Sequence, residues 1–445
     1  MVEPIYRSTP EERVQWMKEA RYNIFNLKSR QVYIDMLTDS GTGAMSQQQW
    51  SEMMLGDESY AGASSFYKLK ESITEVLGFE HFLPVHQGRA AENVLFSVLI
   101  KKGDIIPGNA HFDTTKGHIE YRQATALDCT IQEANNTNLI HPFKGNVDTN
   151  ILKNVLEKYA DHIPLIILTL TCNSTGGQPV SMQNIKKVRA LADEYSIPLV
   201  YDAARFAENA YFIKVREDGY QEKTIPEIVA EMFSYADAMT MSAKKDGIVN
   251  MGGFIGFRDR EMYEKATTYN IMFEGYITYG GMAGRDMNAL ACGLREATVF
   301  DYLETRIRQT EYLAGKLLDQ GIPVQQPTGG HAVYVDASLF LTKVPREEFI
   351  AQTLAVELYL EGGIRAAEIG TLMADRDPQT RENRYPEKEY LRLAIPRRVY
   401  TNNHMDVIAV ALGNIYNRRD KITSGYKILK EAPIMRHFTV ELTPA

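Results

Sequence analysis

The chain has 445 residues, 44% of them apolar and 24% charged, a balance that points to ordinary globular packing in more than one lobe and away from disorder. With 49 basic against 57 acidic side chains and a net charge of -8, it is not a general binder of nucleic acid, whose affinity rests on neutralising phosphates. No apolar run approaches the roughly 20 residues that cross a bilayer, the N-terminus lacks the order of a signal peptide, and Cys129, Cys172 and Cys292 are too scattered for a disulfide framework or a zinc site, so a reducing cytoplasm is the expected setting.

The first segment of chemical interest is Pro84 to Glu92 (PVHQGRAAE), where a strand-like stretch gives way to a helix, AAENVLFSVLIKK. Free backbone N–H groups at a helix start attract anions, Gly88 permits close approach and Arg89 adds a charged fork, the outline of a phosphate cradle. Taken alone, the segment reads more readily as an ordinary helix start with a solvated arginine. Further on, Ile163 to Thr171 (IPLIILTLT) is a short β-rich run closed by Asn173-Ser174-Thr175-Gly176-Gly177, and a helical stretch, MQNIKKVRALADEYS, follows. Ile197 to Tyr201 (IPLVY) repeats the strand signal and ends at Asp202. A second helical stretch, TIPEIVAEMFSYA, leads into Ala238 to Ser242 (AMTMS) and the Lys244-Lys245 pair. This β-α-β-α-β alternation predicts a parallel sheet covered by helices, with ligands gathered at the strand C-terminal ends. From about Phe300 the texture changes. A long amphipathic helix is predicted over Phe300 to Gln320, and HAVYVDA, YLRLAIP and HFTVEL are predicted strands of a smaller α+β lobe whose boundary lies near Phe300.

Two strand ends carry candidate chemistry. Asp202, three residues before Arg205, is placed to hold a pyridine nitrogen protonated by ion pairing, although Asp after a strand is commonly a turn or cap residue. Lys244 and Lys245 stand between Ser242 and Met251-Gly252-Gly253 in a tight, weakly charged turn, where a partly desolvated lysine forms an imine more readily. Most paired lysines are simply solvated surface, and the residues themselves do not say which of the two would be used. Phosphate cradle, aspartate on one strand end and lysine on the next occur in the order that a pyridoxal-phosphate site of the aspartate-aminotransferase fold requires. An accidental joint match is much rarer than any single one.

Over longer stretches, IDMLTDSGTGAMS, VHQGR, NSTGGQPVSM, ARFAENAYFIK, MSAKKD, TYGGMAGRDM and IPRRVYT, the chain resembles the β-eliminating aromatic amino-acid lyases, which comprise tryptophanases and tyrosine phenol-lyases. The resemblance runs through almost the whole chain. It implies an α/β, fold type I architecture with a mainly parallel sheet: residues 1–45 an arm and part of a small α+β domain, 46–299 a large cofactor domain, 300–445 the rest of the small domain. It implies pyridoxal 5'-phosphate, an amino-acid substrate, and a homotetramer whose active sites draw on two subunits. Lys245 matches the lysine that carries the cofactor, Lys244 its ordering neighbour, and Gln87, Gly88, Arg89 and Ser242 the phosphate-binding positions. Phe112 matches the ring-stacking aromatic, Asp202 the pyridine partner, and Asn173 and Arg205 the groups near the phenolic oxygen. On the substrate side, Arg392 matches the carboxylate clamp, and Thr38 and Asn173 match further substrate-binding positions. Tyr60 matches the tyrosine that donates a proton to the leaving group, while Gly41, Glu58 and Asn250 match positions that bind an activating monovalent cation, normally potassium.

Three positions bear on the leaving group. Phenol-lyases place an arginine where this chain has Ile369, a phenylalanine where it has His437, and a threonine where it has Asp113; the chain matches tryptophanases at His437 and Asp113. A site built to bind a hydroxyl discriminates strongly, so the missing arginine favours tryptophan, with His437 and Asp113 serving the indole N–H and its proton transfers. Singly, each has a plain alternative: Ile369 as core, His437 as a structural histidine, Asp113 as a helix cap. Two features point the other way: the short link from Lys101 to Phe112, as in phenol-lyases, and Ala90 where a glycine is usual. The expected reaction is conversion of L-tryptophan and water to indole, pyruvate and ammonium, with phenol release from L-tyrosine as the alternative.

Overall fold

Short, largely apolar runs become strands in the computed structural model, which describes residues 5–377 and 379–445. In chain order these are β1 (Ile34–Met36), β2 (His81–Val85), β3 (Ile105–Gly108), β4 (Thr125–Asp128), β5 (Ile166–Thr169), β6 (Leu199–Asp202), β7 (Ala238–Ser242) and β8 (Gly253–Phe257), followed by β9 (Ala332–Asp336), β10 (Ile364–Ile369), β11 (Tyr390–Ala394), β12 (Tyr426–Lys430) and β13 (Glu441–Pro444). Seven of them form one sheet in the order β2-β8-β7-β6-β5-β3-β4. Strands β3 to β7 pair in parallel, and β8 runs antiparallel to both β7 and β2.

Both faces of this sheet are covered, which is why its strands read as unbroken apolar runs. Ile166 and Leu168 of β5 with Leu199 and Tyr201 of β6 face one core, while Ile167 and Val200 face the other, the period-two alternation of a strand. The connecting helices start where their caps dictate. Ser181 accepts from the Asn184 N–H to open Met182–Glu194, and a Thr224/Glu227 capping box opens Ile225–Phe233.

The second sheet, β1-β10-β11-β9, is antiparallel except for the β1–β10 pair. Met17, Ile24, Ile34 and Met36 from the beginning of the chain pack there with Leu354, Ile364, Leu391 and Leu412. One helix, Phe300–Leu318, joins the two cores: Leu303 and Ile307 sit in the large one, Leu313 and Leu317 in the small one. The strand predicted over HFTVEL starts late, because Arg436–Phe438 is a 3-10 turn and β13 begins at Glu441. Asp375 accepts from the Met435 and Arg436 N–H groups, and the Asn23 amide donates to the His437 and Val440 carbonyls, so that backbone is committed before any ladder forms.

Candidate active site

Strand register sets the level of the site. Thr169 stands opposite Asp202 and Asp202 opposite Thr240, so three parallel strands end together. Ser242 pairs with Gly253 and Gly253 with Val85, which carries the Gln87-Gly88 turn alongside the lysine turn. A Cβ at Gly88 would stand 2.6 Å from Ser242 Cβ, and one at Gly253 would stand 2.9 Å from the Gln87 carbonyl carbon. Only glycine allows backbone to approach this closely.

A cavity of about 250 Å³ opens at these strand ends. Gln87, Gly88, Arg89, Phe112, Asp113, Asn173, Asp202, Arg205, Ser242, Lys244 and Lys245 line it from the large domain, and Thr38, Arg392 and His437 line it from the arm and the small lobe. The two lysines diverge. Lys245 Nζ donates to Ser242 Oγ at 2.9 Å, and burial together with Arg205 pushes its pKa down to about 8. Lys244 Nζ turns instead to Gln87 Oε1 at 3.3 Å, its pKa lowered by burial and by Arg89. Burial raises the pKa of Asp202, which Lys245 and the Ala204 N–H partly offset.

Across the cavity, Asn173 Oδ1 accepts from Tyr334 Oη at 2.8 Å and Arg392 Nη1 at 3.0 Å, and lies 2.9 Å from His331 Nε2. Arg392 Nη2 donates to the Leu37 carbonyl, and its Nε is buried without a partner. Such an uncommitted donor fits a carboxylate that the protein itself does not supply. His437 Nε2 lies 3.4 Å from Asp113 Oδ2, an electrostatic contact rather than a well-formed hydrogen bond, and both of its ring nitrogens are buried and unpartnered. Burial opposes ionisation of Asp113, but His437 and the Thr114 N–H outweigh it and hold the carboxyl below its ordinary range.

Four other predicted residues lie outside the cavity lining, and so does Gly41. Ile369 closes β10 opposite Tyr390 and packs against the cluster of Ala332, Tyr334, Tyr390 and Ala394. Tyr60 is 61% exposed and stacks with Tyr276 at a centroid distance of 6.0 Å, with the tilted ring of Tyr279 4.9 Å away. Asn250 Nδ2 donates to the Gly41 and Gly43 carbonyls, so Gly41 and Asn250 meet, whereas Glu58 pairs with Arg285 at 3.0 Å.

The buried partners of Arg205 carried no signal strong enough to be singled out from sequence. Arg205 does not project freely: Asp39 takes its guanidinium at 2.7 and 3.1 Å and also takes Arg397 at 2.8 Å. Arg397 continues to Glu208 at 2.9 Å and Asp246 at 2.8 Å, and Arg306 also meets Glu208, which makes three buried carboxylates against three buried arginines behind Lys245. Burial works against ionisation of Asp39, yet Arg205 and Arg397 hold it well below the carboxylate range. Glu92, buried between Ala91 and Val94, was detectable as a charge on the apolar face of a helix.

Among the described residues, no helix is long and apolar enough to cross a membrane, and no group of three histidine, cysteine or carboxylate side chains could hold a metal ion. A serine palmitoyltransferase from S. paucimobilis superposes with a TM-score of 0.59 at 14% identity, over 87% of this chain and 88% of its own, which identifies the architecture as that of the fold type I pyridoxal-phosphate enzymes. A probable beta-eliminating lyase of Trichomonas vaginalis is 67% identical over 442 residues, 99% of this chain and 96% of the relative. The tyrosine phenol-lyase of Symbiobacterium thermophilum is 50% identical over 444 residues (100% and 97%), and the tryptophanase of Salinibacter ruber 48% over 443 (100% and 94%). The family model described as beta-eliminating lyase matches residues 35–411, and with that span and these identities the chain belongs to the beta-eliminating lyase family.

Proposed function

We propose that this chain uses pyridoxal phosphate to eliminate the aromatic side chain of an amino acid, and that its preferred reaction releases indole from L-tryptophan with pyruvate and ammonium. The observation that carries the reading is the convergence of Lys245, Asp202 and the Gly88 cradle on one cavity, with Arg392 entering from the opposite lobe. The residues present fit the cofactor. The helix that begins at Gly88 offers its first backbone N–H groups to a phosphate, and the missing Cβ lets that turn lie against Ser242; Phe112 offers a ring to stack on, and Asp202 is a buried carboxyl that gains from a cationic partner.

Bound there, pyridoxal phosphate supplies an electron sink for the charge left when the Cα proton departs. Lys245 Nζ is the group to carry the cofactor and to move that proton, since a lysine held near 8 is partly neutral at physiological pH. Gln87, Gly88, Arg89 and Ser242 hold the phosphate, with Lys244 ordering the site through Gln87, Asn173 and Arg205 the phenolic edge, and Thr38, Asn173 and Arg392 the substrate, with Arg392 on its carboxylate. An aromatic carbon leaves only after it is protonated, and Tyr60 is the proposed donor. Its exposed ring fits delivery to the cavity of a neighbouring copy in a homotetramer. Potassium held by Gly41, Glu58 and Asn250 completes the reading, and equal activity in sodium and potassium buffers would remove that part.

Indole is favoured by the buried Asp113 and His437 pair, a polar partner for the indole N–H at the cavity wall. Nearby, Phe25, Met373 and Phe438 are apolar, so a phenolic hydroxyl would lose water there at roughly 1–3 kcal/mol. Phenol release from L-tyrosine is the second reading, favoured by the 50% identity to a tyrosine phenol-lyase. Purified enzyme given equal concentrations of the two amino acids should make indole much faster than phenol. Phenol at a comparable or higher rate overturns the tryptophan assignment.

A further inference from the structure

The end of the cavity that holds Asp202 contains a second carboxyl. Glu92, on the helix that begins at Gly88, is 7% exposed and lines the cavity with Asp202. Its Oε2 accepts from Thr114 Oγ1 at 2.9 Å, and its Oε1 accepts from Thr115 Oγ1. Those threonines open the helix after Phe112, so one carboxyl ties the phosphate-cradle helix to the turn that presents Phe112 and Asp113.

The hydrogen-bond partners of Glu92 are hydroxyls, not cations. In low dielectric beside another carboxylate such a group keeps its proton more readily: burial, then the charge of Asp202, raise it to about 7, with the two threonines opposing. The charged and titratable groups around it are Asp202 from β6, Asp113 with His437 beyond it, and Lys245 beyond Asp202. Arg89, His118 and Arg122 occupy neighbouring turns of the two helices, with Tyr269 beside Arg122.

We propose that Glu92 is a positioning residue that acts through Asp202: by gaining or losing one proton, it sets how tightly that end of the cavity holds a protonated pyridine nitrogen. The inference rests on the cofactor reading above. When Glu92 is ionised, two carboxylates stabilise the ring proton; when it is neutral, Asp202 acts alone. Reciprocally, a ring cation favours release of the Glu92 proton to solvent.

The test uses holoenzyme reconstituted with pyridoxal phosphate carrying 15N in the ring, whose nitrogen chemical shift reports ring protonation directly. The titration runs from about pH 6 to about pH 10. Glu92→Gln keeps hydrogen-bonding atoms but removes the charge, and the pH at which the ring proton is lost should fall by about one unit, a tenfold change in proton affinity. Thr115→Val keeps the carboxyl but removes a donor to its anion, and should move the titration the same way by less. A solely structural Glu92 would lower thermal stability and leave the 15N titration unmoved. Superimposable titrations in wild type and both variants, each with cofactor bound, overturn the proposal; if Glu92→Gln does not fold, Thr115→Val alone decides it. A wild-type protein that binds no pyridoxal phosphate would instead remove the cofactor reading itself.

Discussion

The two walls of the cavity are built by different rules. Asp202, Ser242 and Lys245 come from the consecutive parallel strands β6 and β7 and the turn that follows them, and their relative height follows from hydrogen-bond register. Leu37, Thr38, Met373, Arg392 and His437 come from four separate stretches of chain that meet only through the small lobe. Between the walls runs the buried network of Asp39, Arg205, Arg397, Glu208, Asp246 and Arg306. A wall set by register should fail chemically without unfolding. The opposite wall should fail in substrate affinity, and the network between them should fail in stability.

The largest effect should come from the first wall. Lys245→Met is expected to lower turnover by at least about 1,000-fold while stabilising the cofactor-free protein near pH 7. The lysine titrates near 8 when folded against an ordinary 10.5, so between those values the unfolded chain binds more protons. Wild-type stability therefore rises with pH across that window, and below it burial of the charged amine carries its full cost. The melting-temperature advantage of the variant should shrink as pH climbs from 8 to 10.5. A constant advantage across that range would contradict the assigned burial.

Next in size is the network. Arg397→Met leaves Asp39, Glu208 and Asp246 with two arginines among three carboxylates, and should cost about 3–5 kcal/mol in denaturant unfolding. A loss below about 1 kcal/mol would mean that the lobes are held by the shared helix Phe300–Leu318 alone. A smaller effect is expected on the second wall. Arg392→Lys keeps the charge but loses the planar fork, so KM for amino acids should rise about tenfold or more at unchanged cofactor absorbance. An unaltered KM would assign the carboxylate to another cation. The smallest effect concerns selectivity: His437→Phe should lower tryptophan turnover about tenfold more than turnover of S-alkyl cysteines, whose thiolate leaves without ring protonation. Equal losses on both substrates would show His437 to be structural.

From residues alone, the βα alternation and the chain order of the Gly88 cradle, Asp202 and Lys245 were legible. Each depends on neighbours within one supersecondary unit, where periodicity and turn chemistry act locally. Tertiary structure alone decided the rest. The strand predicted over HFTVEL starts late because Asn23, far away in the chain, takes the His437 and Val440 carbonyls while Asp375 holds the turn just before it. Ile369 packs against the cluster of Tyr334 and Tyr390 because pairing of β10 with β11 sets it opposite Tyr390, which no local pattern reports. Arg205 is bound to Asp39 across 166 positions, and Arg392 to Asn173 across 219. Such pairings follow from which buried charges have no other partner once two lobes close on each other, a global constraint that a stretch of sequence does not contain.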